Sequence, residues 1–404
     1  MKTNIKIKSL FFMLALTGIG ITACENFKNI KGVEEVTPVK VSVSATVLHD
    51  PDEPLPPKLT VRFTNFKETL ISEVEMDASL NVIANGIVPG IYTVTATGMY
   101  DDGSRVWMYS GSAVNIAIHG ETTNVAVEVK MGRTGPLVFK EIYYAGGQRP
   151  TGAAANYGQF FEVYNNSETT YYLDSLCVTR IYPQNATDVL PDWLDPDWEQ
   201  FVFTADCWQV PGNGTDYPLG PGEAALMVAI GQNYTIEQTN APTNNSTAEF
   251  ELYTVSATNP NNDPPVDMIC VYGSAKVMMP VFGGAYVMFR QTGPIDRNFT
   301  ASPADRPTTR YLKIRRKDVI DAVECVDNSG RMTDKRVPFE LDAGAATVEG
   351  TYNGASVVRK IQSIRPDGTY IFQDTNNSTD DFEWMVPAMI RRYNPKVPSW
   401  NTWL

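Results

Sequence analysis

Residues 137–144 read Leu-Val-Phe-Lys-Glu-Ile-Tyr-Tyr, residues 159–166 read Gln-Phe-Phe-Glu-Val-Tyr-Asn-Asn, and residues 171–178 read Tyr-Tyr-Leu-Asp-Ser-Leu-Cys-Val. These runs are rich in aromatic and β-branched residues, which favour strands, and polar or Gly-containing turns separate them. The pattern predicts neighbouring strands of one sheet. The 27 Pro and 29 Gly of the chain are scattered without a period, as turn residues are. We therefore predict an all-β protein.

The chain of 404 residues is longer than one ordinary domain, so two or three compact units are expected. Residues 37–131 alternate apolar and polar side chains, as half-buried strands do. Val39, Val41 and Val43 share one face of the first predicted strand, and Leu59 and Val61 share one face of the next. About seven such strands predict a small β-sandwich, followed by a second β-sandwich domain over residues 137–404.

Residues 88–96 read Val-Pro-Gly-Ile-Tyr-Thr-Val-Thr-Ala, where Pro-Gly makes a turn before a strand. This segment and its setting resemble the prealbumin-like, carboxypeptidase-regulatory-like sandwiches of secreted bacterial proteins. The resemblance implies a spacer or interaction module without an active site. His49 and His119, the two histidines of the chain, lie in this region. A solvated loop is the prediction for His49, and metal binding with the acids of residues 50–53 is the alternative.

Four later segments resemble, in order, parts of the lamin-tail domain, which is an immunoglobulin-like sandwich. They are the strands at 137–174, a Pro-Gly-Glu turn and strand at 217–228, an Asp-Val-Ile-Asp strand at 318–323, and a Ser-x-x-Arg segment at 356–359. The resemblance covers residues 137 to about 382 and implies an immunoglobulin-like fold. The residues matched in the first segment are Phe139, Glu141, Ile142, Tyr144, Phe161, Glu162, Val163, Tyr164, Asn165, Leu173 and Asp174.

The second predicted domain is much longer than the roughly 110 to 130 residues that such a sandwich needs. The excess is predicted to form insertions near residues 181–216 and 231–285. Loops on a rigid sandwich commonly carry binding sites, so we predict that Trp193, Trp198 and Trp208 of the first insertion contact a ligand. The alternative is that these tryptophans complete the core beneath a lid.

Two further regions stand out near the carboxyl terminus. Residues 382–404 hold Trp384, Trp400 and Trp403 among several Pro, and they are predicted to dock as an irregular tail. A basic segment is predicted to be a solvated strand edge, and the alternative is a site for an anionic ligand. The residues of this basic segment are Arg290, Arg297, Arg306, Arg310, Arg315, Arg316 and Lys317.

The amino terminus has the composition of a signal peptide, because three lysines precede a short apolar run that ends in small residues. Residues 21–24, Ile-Thr-Ala-Cys, resemble a bacterial lipobox. The resemblance implies cleavage after residue 23, lipidation of Cys24 and attachment to the outer membrane through acyl chains. Residues 24–36 are polar and aperiodic, and we predict that they form a tether.

Charge and composition limit the possible chemistry. The net charge of −13 argues against nucleic acid as a partner. Catalysis by a serine or cysteine needs a base, and no histidine follows His119, so such an enzyme is not predicted. No cofactor or metal motif is found, and a turn rather than a calcium site is predicted at residues 376–381. The cysteines after Cys24 are Cys177, Cys207, Cys270 and Cys325, and they allow two disulfides in any of three connectivities.

As a whole, the chain resembles uncharacterised lipoproteins of Bacteroidota-type bacteria that accompany TonB-dependent outer-membrane receptors. This resemblance implies an accessory role in capturing a nutrient such as an iron carrier or a glycan. One alternative is a glycan hydrolase that uses paired carboxylates, since 46 acidic residues supply many pairs. Another alternative is a purely structural or adhesive envelope protein.

Overall fold

The computed structural model describes residues 36–48, 54–65, 67–101, 106–120, 122–133, 135–255, 264–273, 276–331 and 335–404. The predicted signal peptide, Cys24, nearly all of the predicted tether and His49 lie outside these residues. His119 is described, and it is exposed in a turn. None of the helices in these ranges is long and apolar enough to span a bilayer.

The amino-terminal region forms one seven-stranded sheet. Its spatial order is β3-β2-β5-β6-β7-β1-β4, with β1 and β7 parallel and the other neighbours antiparallel. The sheet curves around a single core to which all seven strands contribute. The strands are β1 (Val39–Leu48), β2 (Lys58–Asn65), β3 (Leu70–Asp77), β4 (Asn81–Ile87), β5 (Gly90–Asp101), β6 (Val106–Ile118) and β7 (Thr122–Arg133).

The alternation that the sequence predicts in this region is confirmed. Val39, Val41 and Val43 are buried on β1, while the residues between them face outward or are half-buried. Leu59 and Val61 are likewise buried on β2. Side chains of a strand point alternately to opposite faces, so one face of each strand supplies the core.

The remaining chain builds two larger sheets and three two-stranded ribbons. The first large sheet has the order β18-β17-β16-β11-β8-β25-β28, and the second has the order β21-β22-β14-β13-β20-β23-β24, with β19 also paired to β14. The strands from 137 to 251 are β8 (Leu137–Tyr143), β9 (Gly147–Gln148), β10 (Ala154–Ala155), β11 (Phe160–Asn165), β12 (Tyr171–Tyr172), β13 (Cys177–Ile181), β14 (Phe201–Gln209), β15 (Pro218–Leu219), β16 (Ala224–Val228) and β17 (Phe250–Glu251). The later strands are β18 (Val266–Asp267), β19 (Ile269–Tyr272), β20 (Ala285–Phe289), β21 (Thr300–Ala301), β22 (Tyr311–Arg315), β23 (Val319–Val326), β24 (Ala346–Thr347), β25 (Ser356–Arg359), β26 (Ile361–Ile364), β27 (Tyr370–Phe372) and β28 (Phe382–Met385).

The predicted all-β class is confirmed, and the described residues contain a single short α-helix, α1 (Ser378–Asp381). Both β8 and β11 lie in the first large sheet and pair directly, as the first two opening runs predict. The prediction is wrong for the third run, 171–178, because the chain crosses there to the other layer: β12 pairs with β15 in a ribbon, and β13 belongs to the second large sheet. The boundary between two domains at residues 131–137 stays a prediction, because Val39–Leu404 packs as one compact unit. Short 3-10 helices occur at Trp198–Gln200, Asn245–Thr247, Arg316–Asp318 and Ser329–Arg331.

The main core lies between the two large sheets. Phe139 and Phe161 of the first sheet pack at 5.5 Å between ring centroids, and Phe161 meets Tyr286 of the second sheet edge to face at 4.9 Å. All three side chains are at most 1% exposed. Aromatic pairs in such geometries add about 0.5–1.5 kcal/mol beyond the area that they bury. The residues singled out in the opening stretch are therefore structural.

Arg359 on β25 is the centre of a buried charge network. Its guanidinium lies 2.8 Å from Asp321, 3.1 Å from Asp374 and 3.4 Å from Asp381, and it donates to the carbonyl of Phe139. The arginine is 1% exposed, so three carboxylates share one buried cation. Burial raises the pKa of both Asp321 and Asp381 to about 7, although the charge of Arg359 opposes that rise.

This network predicts that the free energy of unfolding falls as the pH rises from about 4 to about 7. A folded-state pKa above the usual 3.8 means that the native state holds the extra proton. The stabilising effect is then complete below that usual value and is lost as the pH rises through the folded-state pKa. One such proton corresponds to about 1.4 kcal/mol per pH unit. Urea unfolding at a series of pH values measures the slope.

Asp321→Asn is the variant for this test, because an amide cannot take up the proton but keeps an oxygen for the N–H of Phe139. We expect a flatter slope in the variant than in the parent protein. An identical slope in the two proteins would show that Asp321 does not titrate in this range.

The predicted irregular tail of residues 382–404 is corrected at its start, because Phe382–Met385 pairs with β25 as the edge strand β28. Residues 386–404 form neither helix nor strand and dock against the larger region, as predicted. Arg392 contacts Glu141 at 2.9 Å, and Arg391 contacts Glu249 at 2.9 Å. Both glutamates are fully buried. The indole N–H of Trp400 donates to the carbonyl of Pro218 at 2.8 Å. The tail thus supplies the cations that neutralise buried carboxylates of the larger region.

Candidate functional site

The most distinctive surface is built where the first predicted insertion meets the strand β22. The ring of Trp193 stacks on Phe203 of β14 with centroids 3.7 Å apart, and Tyr311 of β22 meets Trp193 edge to face at 5.6 Å. Tyr182 packs against Tyr311 at 4.0 Å. We call this cluster the aromatic surface. Its half-buried members are Tyr182, Trp193 and Phe299, and they rest on the buried rings of Phe201, Phe203 and Tyr311.

Backbone and charged contacts hold the aromatic surface in place. Leu194 donates to the carbonyl of Ser302 at 3.0 Å, and Trp193 forms an isolated bridge with Pro303. The ammonium of Lys313 lies 2.6 Å from a carboxylate oxygen of Asp195, and this hydrogen bond holds the pKa of Asp195 below its usual value. These contacts make residues 192–195 a fixed part of the sheet edge.

Lys313 also lies over two rings of the aromatic surface. Its ammonium is 4.2 Å from the ring centroid of Phe201 and 4.3 Å from that of Phe299. Arg315 covers Phe299 from a distance of 5.2 Å. Cations above ring faces are attracted by the ring quadrupole, so this part of the surface combines apolar and positive character.

The loop that rises from this base exposes large apolar side chains. Val189 is 90% exposed, Leu190 51%, Leu194 59% and Trp198 43%. We call residues 188–198 the apolar loop. An isolated apolar side chain at the surface is ordinary, but several on one short loop with a fixed base mark an interaction site. The exposed acids Asp188 and Asp197 alternate with these side chains.

The three predicted ligand-binding tryptophans have different environments. Trp193 is half-buried in the aromatic surface, and Trp198 is exposed on the apolar loop. The prediction is corrected for Trp208, which is 0% exposed and lies in the main core. The reason is that residues 201–209 are not insertion but the regular strand β14, whose inward face fills the space between the sheets. Trp208 instead fits the alternative stated above, in which a tryptophan completes the core.

The sequence alone shows no link between the first insertion and the basic segment. In the structure the two lie side by side, because β22 pairs with β14. Phe299, Tyr311 and Lys313 contribute to the candidate surface and were not singled out in the sequence. No short-range pattern links them to Trp193, because the contact depends on β22 pairing with β14 across more than a hundred residues of chain. The basic segment is also not uniformly solvated, since Arg290 donates to the carbonyl of Asp174.

A second candidate is a small cavity of about 20 Å³ beside the amino-terminal sheet. Arg62 and Lys335 line it, together with Thr and Asn side chains. Arg62 pairs with Asp380, and Lys335 donates to the carbonyl of Gly344. Both cations are therefore already bound by the protein. Among the described residues no carboxylate lines this cavity, so they offer no pair of acids there for glycoside hydrolysis.

The cysteines do not form the two disulfides that their number allows. Cys177, Cys207 and Cys325 are buried free thiols. Burial raises the pKa of Cys207 well above its usual value. A buried, inaccessible thiol is chemically inert, so these side chains act as small apolar core residues.

Comparisons with known proteins give one consistent family. A family model described as "Protein of unknown function (DUF4876)" matches residues 220–389. The chain is also similar to the crystal structure of a DUF4876 family protein from Bacteroides thetaiotaomicron VPI-5482. The two are 36% identical with a TM-score of 0.62, and the match covers 90% of this chain and 99% of that one. A search of curated proteins finds no match.

Proposed function

This chain belongs to the DUF4876 family, and we propose that it is a lipid-anchored protein of the outer membrane that binds a nutrient for a TonB-dependent receptor. The nutrient is an iron carrier or a glycan, and it contacts the apolar loop and the aromatic surface beneath it. The anchor is the acylated Cys24 of the lipobox-like segment. The protein works by binding rather than by catalysis.

The observation that carries the proposal is the exposure of four large apolar side chains on a loop whose base is fixed. Leu194 and Trp198 keep 59% and 43% of their surface in water. Trp193, directly before Leu194, is stacked on Phe203 and cannot turn outward without losing that contact. A rigid base lowers the entropy that binding has to overcome, which favours recognition by the exposed residues.

The alternatives have less support from the described residues. A hydrolase needs two carboxylates at a cleft. The described lining of the cavity beside the amino-terminal sheet lacks carboxylates, and Asp195 of the apolar loop is bound by Lys313. A purely structural protein has no need of exposed apolar side chains on an ordered loop, since these carry a risk of aggregation.

Binding experiments with the full-length protein test the proposal. Tryptophan fluorescence is recorded while ferric citrate, starch or polygalacturonate is added, and binding is expected to quench Trp198. The double variant Leu194→Ser with Trp198→Ala is expected to weaken binding by at least about tenfold, because each lost apolar anchor removes about 1–3 kcal/mol. Pull-down of solubilised outer-membrane proteins with the same pair of proteins tests contact with a receptor.

Trp384→Ala is the matched control, because Trp384 is 48% exposed on the edge strand β28, outside the apolar loop. The control is expected to bind as the parent protein does. Equal binding by the parent and the loop variant, with unchanged thermal unfolding, would remove the apolar loop from the proposed function. The absence of any bound nutrient and any captured receptor would refute the proposal.

A further inference from the structure

We propose that Arg297 and Arg310, in the neighbourhood of Tyr272, bind carboxylate or sulfate groups of an acidic polysaccharide. We call these three residues the anion site. The proposal names the ligand class for the binding protein described above, and in that sense it rests on the proposed function. Its support is the charge and the contacts of the anion site.

Arg297 and Arg310 differ from most other arginines of the chain in their contacts. The chain carries a net charge of −13, and most arginines with described side chains are held by a carboxylate, a carbonyl or a ring. Arg149 contacts Tyr157, and Arg290 lies over Tyr171. Within the described part of the chain, Arg297 and Arg310 have no ion pair, side-chain hydrogen bond or ring contact, and both are exposed. Their charges are free for a ligand.

The two arginines lie near one another. Tyr272 ends the strand β19, and its hydroxyl donates to the backbone carbonyl of Arg310 at 2.8 Å. Ile295, two residues before Arg297, packs with Tyr272 against the same core cluster. Burial raises the pKa of Tyr272, and the positive charges of Arg297 and Arg310 oppose that rise, as expected if both act at this phenol.

The basic surface extends along β22. Arg310 directly precedes β22, and Arg315, which is exposed, ends it. Five residues of strand extend over about 17 Å, and positions five apart point to opposite faces of a strand. The two cations therefore cannot meet around one small anion, whereas the repeated charges of a polymer can pair with each of them. A single exposed ion pair contributes little, whereas several on one chain act together.

The surroundings of the two arginines are partly apolar. Tyr272 and Phe299 are half-buried, so each keeps part of its surface open to solvent in this region. A sugar ring presents C–H groups on its faces and packs on such rings, while an acidic substituent pairs with a guanidinium. Nucleic acid is disfavoured by the acidity of the rest of the surface. An acidic polysaccharide satisfies both features.

The test uses the full-length protein at low salt with three polymers: polygalacturonate, dextran sulfate and neutral dextran. We expect binding to at least one of the two polyanions, no binding to dextran, and weaker binding as salt is added. The double variant Arg297→Gln with Arg310→Gln is expected to bind at least about tenfold more weakly. Which polyanion binds more tightly distinguishes carboxylate from sulfate recognition.

Lys40→Gln with Lys67→Gln is the matched control, because it makes the same change in net charge at exposed lysines of the amino-terminal sheet. A similar loss in the control and in the arginine variant would show general charge attraction and overturn the proposal. Failure of both polyanions to bind the parent protein would also overturn it.

The outcome for the anion site can be separated from the outcome for the proposed function. If the arginine variant loses polyanion binding and the Leu194 and Trp198 variant keeps it, the anion site stands without the apolar loop. If no polyanion binds but ferric citrate or starch quenches Trp198, the proposed function stands without the anion site.

Discussion

Arg359→Ala is expected to lower the free energy of unfolding by about 3–5 kcal/mol, the cost of leaving buried charges without their partner. The substitution leaves Asp321, Asp374 and Asp381 together with no buried cation between them. It also removes a hydrogen bond to the carbonyl of Phe139 and the contact of the guanidinium with the ring of Phe382, at 4.6 Å. Because native proteins are stable by only about 5–15 kcal/mol, this loss is a large fraction of the total. Urea unfolding followed by circular dichroism measures the change.

The pH dependence of this variant is a second readout. Below the folded-state pKa of about 7, protonation of Asp321 and Asp381 reduces the repulsion that the missing arginine would expose. The destabilisation is therefore expected to be smaller at pH values near 5 than at pH values near 8. The control is Arg306→Ala, which removes an exposed pair with Asp305 and should leave unfolding unchanged. Equal destabilisation by the two variants would refute the role of burial.

Arg392→Ala is expected to lower the free energy of unfolding by about 3 kcal/mol or more and to release the carboxyl-terminal tail. The arginine donates twice to Glu141, which is fully buried on β8. Without it, that carboxylate keeps hydrogen bonds from Ser356 and from the N–H of Met389 but loses its cation. Limited trypsin digestion is expected to cut at Lys396 sooner in the variant, because a detached tail is accessible.

Adding Glu141→Gln to Arg392→Ala is expected to restore part of the stability, because the double variant no longer buries an unpaired charge. Lys396→Ala is the control for the tail, since it removes an exposed pair with Asp367 and no buried contact. If Arg392→Ala behaves as Lys396→Ala does in urea unfolding, the tail is not held by its charge contacts.

Much of the fold could be predicted from local patterns. Alternation along 39–47 and the aromatic runs at 137–144 and 159–166 identify strands, because the side-chain period of a strand is visible in consecutive residues. The Ser-x-x-Arg segment also marks a structural position, since Ser356 and Arg359 are both buried on β25. Residues 201–209 could not be placed, because an insertion and a core strand with the same composition look alike until their neighbours are known.

The candidate site depended more on tertiary structure. Trp193 and Trp198 were found from the sequence because aromatic residues in a polar insertion are conspicuous. Trp208 has the same appearance, but its burial depends on β14 facing the other large sheet. Phe299 and Lys313 join the aromatic surface only through strand pairing. Ion pairing likewise decides which arginines of the basic segment keep a charge that is free for a ligand.

The sequence by itself determined the strands at 137–144 and 159–166, the all-β class and the irregular tail, since each depends on residues close together in the chain. Only the tertiary structure decided that Trp208 is core, that the first insertion shares a surface with β22, and that Arg359 and Arg392 neutralise buried acids. The physical reason is that burial and charge pairing are properties of neighbours in space. Those neighbours are set by sheet pairing between segments far apart in the chain.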